Sequence, residues 1–328
     1  MILVNATSCK IGGAKQIAEK FLNDFEQPEE LIVLGPKSLS VPATAHRHIA
    51  IETAGITTML FSTLFIAYFV LKYRVHTLFS FANINLILPL CQRVTYFHQL
   101  KILTTNNIRF RAFRFITRNF LVKSNRYVFQ TSYVKSEFEA VFGHCKYEIC
   151  WPGVSRPPAY CVAPNKVPNV AFIPYAYTSL PQKNFQLFAM NDWSQTALSQ
   201  IVMPATDFEG ELSEKFESTG LLTRSEMNNW YLQADILMVA SIEETVCLPI
   251  FEFAATGKPV LVLNAQYIQG INNDKPLPKN IVLFESASFS EKLNEVITNY
   301  THYCLQSQHD YKHWLKSQWP VLTVANNS

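Results

Sequence analysis

Short apolar runs alternate with longer amphipathic stretches along most of the chain. Apolar runs bounded by turn-forming residues are typical of buried strands, and apolar positions every three or four residues are typical of helices. In the first half this pattern predicts strands at 2–5, 31–34, 77–81, 93–97 and 127–130, and helices at 14–25, 108–122 and 132–142. In the second half it predicts strands at 170–174, 200–204, 219–222, 236–240, 260–263 and 281–284, and helices at 224–233, 249–256, 289–300 and 308–317. The alternation favours two doubly wound α/β domains.

A proline-rich segment separates the two halves. Residues 151–168 contain five prolines and no sustained helical or strand pattern, which is typical of a linker. A chain of 328 residues, 48% of them hydrophobic, is long enough to form two cores. We therefore expect a Rossmann-like domain at 1–155, a second Rossmann-like domain at 156–306, and a helix within 307–328 that packs back on the first domain. Ligands are expected in a cleft between the domains, at the carboxyl ends of the strands.

The charge is distributed unevenly. The net charge of +3 divides into +8 for residues 1–150 and −5 for residues 151–328. Residues 53–136 contain no acidic residue and eleven basic ones. This asymmetry indicates a polyanionic partner, such as anionic lipid, phosphate or nucleic acid. No RNA-binding or DNA-binding motif accompanies it, so we expect no nucleic-acid partner.

The cysteines and the N-terminal sequence indicate a cytoplasmic protein. The seven cysteines are dispersed without a CxxC pair, which is typical of reduced thiols, and no metal site is expected. The first residues lack the basic and long apolar regions of a signal peptide. Residues 53–71 carry no charge over nineteen positions, but they include several Ser and Thr residues. A buried or membrane-dipping helix is therefore favoured there over a membrane span.

A basic aromatic helix is predicted at 108–122. Arg111, Arg114 and Arg118 would share one face, opposite Phe113 and Phe120. One interpretation is an amphipathic helix that covers the core. The other is a patch that rests on anionic lipid and contacts the acceptor, and it places the protein peripherally on the inner face of the cell membrane.

The strongest candidate for chemistry lies at 234–265. A predicted strand ends near residue 240, a loop carries Glu244, and a helix begins near Pro249 and carries Glu252 before it ends at Gly257. Carboxylates so placed can accept hydrogen bonds from sugar or ribose hydroxyls. The alternative interpretation is a surface acid at Glu244 and, at Glu252, an acid favoured by the dipole in the first helical turn.

The Glu-x7-Glu spacing followed by GKPV resembles the signature of the group 1 retaining GT-B glycosyltransferases (family 4-like, of the polysaccharide-biosynthesis type). The resemblance implies that Glu252 holds the nucleotide ribose and that Glu244 holds the donor sugar and acts in catalysis. It implies that the backbone following Glu244 contacts the donor, at Thr245, Val246, Cys247 and Leu248. This chain departs from the family there, because the family usually has Gly-Phe-Gly where Thr245, Val246 and Cys247 stand.

Other segments resemble the family in the same order along the chain. Lys183 in the segment 172–188 would pair with the donor diphosphate, whereas the position five residues earlier, an Arg in many relatives, is Thr178. The loop at 6–22 resembles the family's first glycine loop, so that Gly12 and Gly13 would contribute to the donor site. His98 is implied to lie near the donor sugar as a catalytic residue, and Gln130 at the next strand–helix turn to contact the donor.

The resemblance implies a metal-independent, retaining hexosyltransferase of GT-B fold that needs no cofactor. Its donor would be a nucleotide-sugar and its acceptor a lipid-linked oligosaccharide of a capsule, lipopolysaccharide or other surface polysaccharide. The absence of a DxD motif counts against the metal-dependent GT-A class. A non-catalytic subunit that partners an active homologue is the main alternative, favoured by Thr178 and Cys247. A nucleic-acid binder and a nucleotide-sugar epimerase are further alternatives.

Overall fold

The computed structural model describes residues 1–155, 167–208, 210–305 and 311–322. These residues form two compact units. The first unit contains residues 1–152 together with the C-terminal segment from Ser317, and the second contains residues 153–316.

The first unit is built on a seven-stranded parallel sheet in the order β3-β2-β1-β4-β5-β6-β7. Its strands are β1 (Ile2–Asn5), β2 (Leu31–Gly35), β3 (Arg47–Ala50), β4 (Thr77–Ser80), β5 (Gln92–Phe97), β6 (Arg126–Phe129) and β7 (Lys146–Ile149). Its helices are α1 (Gly12–Asp24), α2 (Ile56–Leu60), α3 (Ala67–Lys72), α4 (Lys101–Thr104), α5 (Ile108–Ile116) and α6 (Ser132–Phe142). A π-helical turn at Phe61–Phe65 lies between α2 and α3, and another at Thr117–Leu121 follows α5.

The second unit is built on a six-stranded parallel sheet in the order β10-β9-β8-β11-β12-β13. Its strands are β8 (Val170–Phe172), β9 (Gln200–Met203), β10 (Phe216–Ser218), β11 (Ile236–Val239), β12 (Val260–Leu263) and β13 (Ile281–Phe284). Its helices are α7 (Gln186–Ala189), α8 (Arg224–Gln233), α9 (Leu248–Ala254), α10 (Gln266–Asp274), α11 (Phe289–Thr298), α12 (Tyr300–Tyr303) and α13 (Lys312–Leu315).

Both sheets reverse their strand order once, which defines a topological switch point in each. The switch lies between β1 and β4 in the first sheet and between β8 and β11 in the second. In open parallel sheets, ligands bind beyond the carboxyl ends of the strands at such a point, because the flanking loops turn in opposite directions there and leave a crevice. The loops after these four strands are therefore the places to look for sites.

The C-terminal segment after α13 belongs to the first unit. The indole of Trp319 packs edge-on against Phe21 at 5.3 Å between ring centroids, and its Nε1 donates a hydrogen bond to Asp24 at 3.1 Å. The backbone nitrogen of Gln318 donates to the carbonyl of Trp151 at 2.7 Å. Helix α13, in contrast, packs within the second unit, where Trp314 stacks on Phe251 at 4.9 Å.

The expected fold class is confirmed, since both units are parallel α/β structures. The strand predicted at 219–222 is wrong: it lies at Phe216–Ser218, and the apolar residues 221–222 belong to the loop before α8. The strands β3 and β7 and the helix α10 were not predicted. Residues 156–166 of the predicted linker lie outside the described residues. No helix in the described ranges is long and apolar enough to cross a membrane.

Candidate functional site

The loops at the switch point of the second sheet bring together most of the polar residues that the sequence singles out. The loop after β8 leads to Lys183, and the loop after β11 leads to Glu244 and then to Cys247. Burial and, after it, the nearby carboxylate of Glu244 raise the pKa of the Cys247 thiol. Cys247 thus lies beside the ion pair of Lys183 and Glu244, and Glu252 follows it in the next helix.

Lys183 and Glu244 form an ion pair across the switch point. Lys183 lies in a single 3₁₀ turn, and its ammonium group also lies 5.3 Å above the ring of the buried Tyr175. Burial acts to lower the pKa of Lys183, but the neighbouring carboxylate of Glu244 outweighs it, so that the pKa lies above its usual value. Both side chains keep about a fifth of their surface exposed, so a ligand can reach the pair.

Tyr175 fixes the loop that carries Glu244. Its hydroxyl accepts a hydrogen bond from the backbone nitrogen of Ala240 at 2.7 Å and from the hydroxyl of Ser241 at 3.2 Å. The carbonyl of Gln182 accepts from the backbone nitrogen of Ile242 at 2.9 Å. These bonds tie the loop after β8 to the loop after β11, which holds Lys183 and Glu244 in register.

Glu252 forms a second ion pair, with Arg224. The guanidinium contacts both carboxylate oxygens at 2.7 Å, and the hydroxyl of the buried Tyr231 donates to the carboxylate at 3.2 Å. The carboxylate is almost completely buried. Helix α9 begins at Leu248, so Glu252 lies beyond its first turn. The alternative interpretation of Glu252 as a first-turn acid favoured by the helix dipole is therefore wrong.

Lys258, from the GKPV segment, supports this second pair. Its buried ammonium group donates to three carbonyls at the end of α8, those of Tyr231, Leu232 and Ala234, at 3.1, 2.7 and 2.6 Å. Cations at a helix C-terminus satisfy carbonyls that have no partner within the helix. Lys258 thereby fixes the end of α8, which carries Tyr231, against α9, which carries Glu252.

Cys247 adopts a backbone conformation that favours glycine. Its φ is 56° and its ψ is 67°, in the left-handed region, immediately before α9. The loop thus has the conformation that a glycine would adopt easily, although a cysteine occupies the position. Thr245 and Cys247 are partly exposed at this bend, whereas the side chains of Val246 and Leu248 are buried.

Thr178 contacts a partner that the sequence did not reveal. Its backbone nitrogen and its hydroxyl donate to one oxygen of Asp207 at 2.7 and 2.9 Å, and the corresponding groups of Ser179 donate to the other oxygen at 3.1 and 2.5 Å. Thr178, where the resemblance implied an arginine, is therefore part of a turn closed by a carboxylate.

The switch point of the first sheet opens into a cavity of about 460 Å³. Its apolar walls include Met59, Ile102, Phe110 and Phe113, and its polar lining includes Ser8, Lys10, Thr53, Thr58, Asn83, His98, Gln99 and Arg109. None of the residues that line it is acidic. The cavity suits a ligand that combines hydroxyl groups or an anionic group with an apolar portion.

Two cations and a helix N-terminus meet at this cavity. Lys10 pairs with Glu52 at 2.6 Å, whereas Arg109 forms no ion pair with a described residue and lies over the ring of Phe110. Helix α1 begins at Gly12 without a side-chain cap and without an acidic residue in its first turn. Gly12 has a φ of 65°, and a Cβ at Gly12 or Gly13 would meet only open space.

His98 lines the cavity as a neutral imidazole. Burial lowers its pKa to about 4. Its Nδ1 is buried without a well-formed hydrogen bond to a described residue, while its backbone nitrogen donates to the side chain of Asn83 at 2.7 Å. Gln130 does not line the cavity. It is buried next to the end of β6, and its amide has no well-formed hydrogen bond to any residue in the described ranges.

The three arginines of the predicted basic patch have different surroundings. Arg111 is exposed. Arg114 donates to the carbonyls of Ile102 and Thr105 at 2.7 and 3.0 Å, which places it at the end of α4. Arg118 donates to the carbonyl of Val141 at 2.5 Å, near the end of α6.

Among the described residues there is no group of three or more His, Cys, Asp or Glu side chains that could hold a metal ion.

The arrangement of two parallel α/β units, each with a switch point, is the fold of the GT-B glycosyltransferases. No family model matches the sequence, and no curated protein matches it. Among solved structures, HepE from Anabaena in complex with UDP-glucose aligns with 96% of this chain and 95% of its own at a TM-score of 0.66 and 13% identity. Sucrose-phosphate synthase from Thermosynechococcus elongatus aligns with 96% of this chain and 94% of its own, at a TM-score of 0.68 and 12% identity. WaaG, a glycosyltransferase involved in lipopolysaccharide biosynthesis, aligns with 96% of this chain and 94% of its own, at a TM-score of 0.66 and 13% identity.

Arg224, Asp207 and Arg109 are among the residues of these sites that the sequence analysis did not single out. Arg224 and Asp207 lie far along the chain from the residues they contact, and no spacing pattern links them. A signal for Arg224 existed, because Thr223 and Glu226 form a capping box that marks the start of α8 and places Arg224 at its first position. Arg109 appeared only as one basic residue among eleven.

Proposed function

We propose that this protein is a retaining glycosyltransferase that binds a nucleotide-sugar at the switch point of its second unit. The proposal rests on two ion pairs at this switch point, one between Lys183 and Glu244 and the other between Arg224 and Glu252. A nucleotide-sugar presents a diphosphate, which matches cations, and ribose and sugar hydroxyls, which match carboxylates. The fold shared with HepE, which was solved with UDP-glucose, supports a UDP-linked donor.

In this proposal each ion pair rearranges to share its charges with the donor. Glu252 would accept hydrogen bonds from the ribose hydroxyls while Arg224 keeps hold of one carboxylate oxygen. Glu244 would turn toward the sugar hydroxyls, and Lys183 would move to the diphosphate. Because Lys183 is held in its charged form, it is suited to stabilise the negative charge that develops on the leaving nucleoside diphosphate. With the cation of Lys183 at the diphosphate, transfer would need no metal ion.

For the acceptor, we propose a lipid-linked glycan bound in the cavity of the first unit. The apolar walls formed by Phe110, Phe113 and Met59 suit the faces of sugar rings, and the hydroxyls of Thr53 and Thr58 suit their edges. Lys10 and Arg109 add positive charge that suits an acidic or phosphorylated substituent. Such an acceptor places the protein on the cytoplasmic face of a membrane, in the synthesis of a lipopolysaccharide, a capsule or another surface polysaccharide.

Isothermal titration with UDP, GDP and their common sugars tests the donor site. We expect one of these ligands to bind in the micromolar range. Glu252→Gln should weaken that binding by about tenfold or more, because hydrogen bonds to a carboxylate contribute roughly 1.5–3 kcal/mol. Glu291→Gln is the matched control: Glu291 is exposed in the first turn of α11, and the binding should not change.

A second candidate is a non-catalytic subunit, and Cys247 is the observation that favours it, since its side chain occupies a bend suited to glycine. If the folded wild-type protein binds none of these nucleotides, the proposed donor site is refuted. If it binds a nucleotide-sugar but neither transfers nor hydrolyses it with any lipid-linked acceptor, the non-catalytic function is supported instead.

A further inference from the structure

The helical segment from Ile56 to Lys72 in the first unit has an unusual distribution of polarity. Its buried side includes the hydroxyls of Thr58, Ser62 and Thr63. The hydroxyl of Thr58 donates to that of Thr53 at 3.0 Å, and Ser62 accepts from the amide of Asn5 at 2.9 Å. Thr63 donates to a carbonyl of its own helix at 2.7 Å. These side chains are thus satisfied inside the protein, although hydroxyls usually lie on the outside of a surface helix.

The solvent side of the same segment is largely apolar, and Thr57 is its one exposed threonine. Six large residues, each between 42% and 64% exposed, form what is here termed the outer apolar face: Ile56, Leu60, Leu64, Phe65, Tyr68 and Leu71. The segment contains a π-helical turn, in which the backbone nitrogen of Ile66 donates to the carbonyl of Phe61 at 2.9 Å. A continuous apolar surface of this kind on a water-exposed helix marks a surface that binds another apolar phase.

The charges around this face are positive. Lys72 and Arg74 lie exposed at its C-terminal end, next to the exposed Arg47 of β3, whose guanidinium donates to the hydroxyl of Tyr73 at 3.2 Å. A hydrogen bond with the hydroxyl of Tyr68 raises the pKa of Lys72 and favours its charged form. No acidic residue occurs in 53–136, and the acid just before the segment, Glu52, is paired with Lys10.

We propose that the outer apolar face docks on a membrane that carries anionic lipids, with the helical segment lying in the plane of the interface. Apolar side chains would enter the boundary between headgroups and acyl chains, and the basic residues at the C-terminal end would contact lipid phosphates. The seventeen residues from Ile56 to Lys72 extend about 25 Å along the surface. The complementarity of charge selects an anionic bilayer over a second copy of this unit, because two copies would bring their basic ends and their acid-free surfaces together.

The position of this face relative to the cavity adds a consequence that rests on the proposed function. Gly55 and Arg109 line the cavity, and their chain neighbours Ile56 and Ile108 are both strongly exposed. The outer apolar face therefore begins at the mouth of the cavity. A glycan attached to a lipid would reach the cavity from the membrane while its lipid stays in the bilayer.

Flotation with vesicles of phosphatidylcholine, with and without 30% phosphatidylglycerol, tests the docking surface. The wild-type protein should float with the anionic vesicles, and less of it should float at high salt, because salt screens the contribution of the basic residues. The variant Leu60→Ser/Leu64→Ser should bind at least about tenfold more weakly, since each leucine contributes on the order of 1 kcal/mol or more when it is buried in lipid.

A matched control removes two exposed apolar residues from the second unit, in the variant Met190→Ser/Leu221→Ser, which should float like the wild type. Thermal unfolding and UDP titration of both variants should match the wild type, since none of the four residues lies at either site. Equal flotation of the two double variants would overturn the proposal. So would a dimer, detected by analytical ultracentrifugation, that Leu60→Ser/Leu64→Ser dissociates while the wild type fails to float. If the wild type floats with the anionic vesicles but binds no UDP, the result counts against the proposed donor site and leaves the docking surface supported.

Discussion

At the switch point of the second sheet, Lys183 and Arg224 each hold a carboxylate, whereas at that of the first sheet Arg109 makes no ion pair with a described residue. The second site is therefore electrostatically balanced before a ligand arrives, and a ligand that binds there has to displace a partner from one of these ion pairs. The first site offers positive charge and a neutral imidazole that have no competing acid in the cavity lining. The same position in the fold can therefore carry polar groups that are already paired or polar groups that are open to a ligand.

The largest expected change in the free energy of unfolding follows from removing one charge of the second site. Glu252→Ala leaves Arg224 and Tyr231 without their shared carboxylate, and we expect it to lower the free energy of unfolding by about 2–3 kcal/mol. This is less than the loss for a fully buried pair, because Arg224 keeps a third of its side chain exposed. Urea unfolding measures the change.

The double variant Arg224→Met/Glu252→Met serves as the control for this prediction. It removes both charges and keeps similar volume, so it should be more stable than Glu252→Ala. If Glu252→Ala is as stable as the wild type, the ion pair of Arg224 and Glu252 does not stabilise the folded protein. The second site would then not differ from the first in the way described.

The next effect concerns acid stability and the first site. The pKa of His98 is lowered to about 4 by burial, from about 6.5 in the unfolded chain. The unfolded state therefore binds more protons between these values, and the stability that His98 contributes is complete above pH 6.5 and is lost as the pH falls toward 4. Between pH 7 and pH 5 the wild type should lose about 1–2 kcal/mol that His98→Gln does not lose.

Urea unfolding at both pH values, with His46→Gln for comparison, isolates this contribution. The side chain of His46 is exposed and forms no ion pair with a described residue, so its variant should follow the wild type at both values. An imidazole of His98 that titrates near pH 6.5 in an NMR experiment would contradict the neutral, buried state.

A smaller effect is expected at Cys247. The left-handed conformation costs a residue with a Cβ about 1 kcal/mol or more, and glycine recovers part of this while it adds entropy to the unfolded chain. Cys247→Gly should therefore raise the free energy of unfolding by about 0.5–1 kcal/mol. Cys247→Ala keeps the Cβ and should bring no gain, so equal stabilities of the two variants would exclude strain at this bend.

The parts of this structure that the sequence predicted are those with a strong local pattern. Central strands such as Ile236–Val239 and Val260–Leu263 are continuous apolar runs because both faces of a parallel sheet are covered. The edge strands β3 and β7 have the sequences RHIA and KYEI and are largely exposed. Because exposed strands can carry polar residues on both faces, no continuous apolar run marks them in the sequence. The α/β class therefore followed from the sequence, but the width of the first sheet did not.

The same limit applies to the sites. Lys183, Glu244 and Glu252 were found through spacing within two loops, whereas Arg224 reaches Glu252 only through the packing of α8 against the second sheet. A buried or membrane-dipping helix was expected at 53–71, but the sequence did not show which of its side chains form the outer apolar face. Its inner hydroxyls are tolerated because Asn5 and Thr53 lie opposite them, and these partners are brought there by β1 and the loop after β3.

The smallest expected change in the free energy of unfolding concerns Arg109 at the first site, which forms no ion pair with a described residue. The guanidinium of Arg109 is exposed and pairs with no described acid, so Arg109→Ala should change the free energy of unfolding by less than about 0.5 kcal/mol. Arg224→Ala, the matched change at the balanced site, should lower it by more than about 1 kcal/mol because Glu252 is then buried without its cation. Urea unfolding of the two variants compares them directly. Equal losses would mean that Arg109 is as much a structural group as Arg224, and the first site would then have no cation free to receive an anionic ligand.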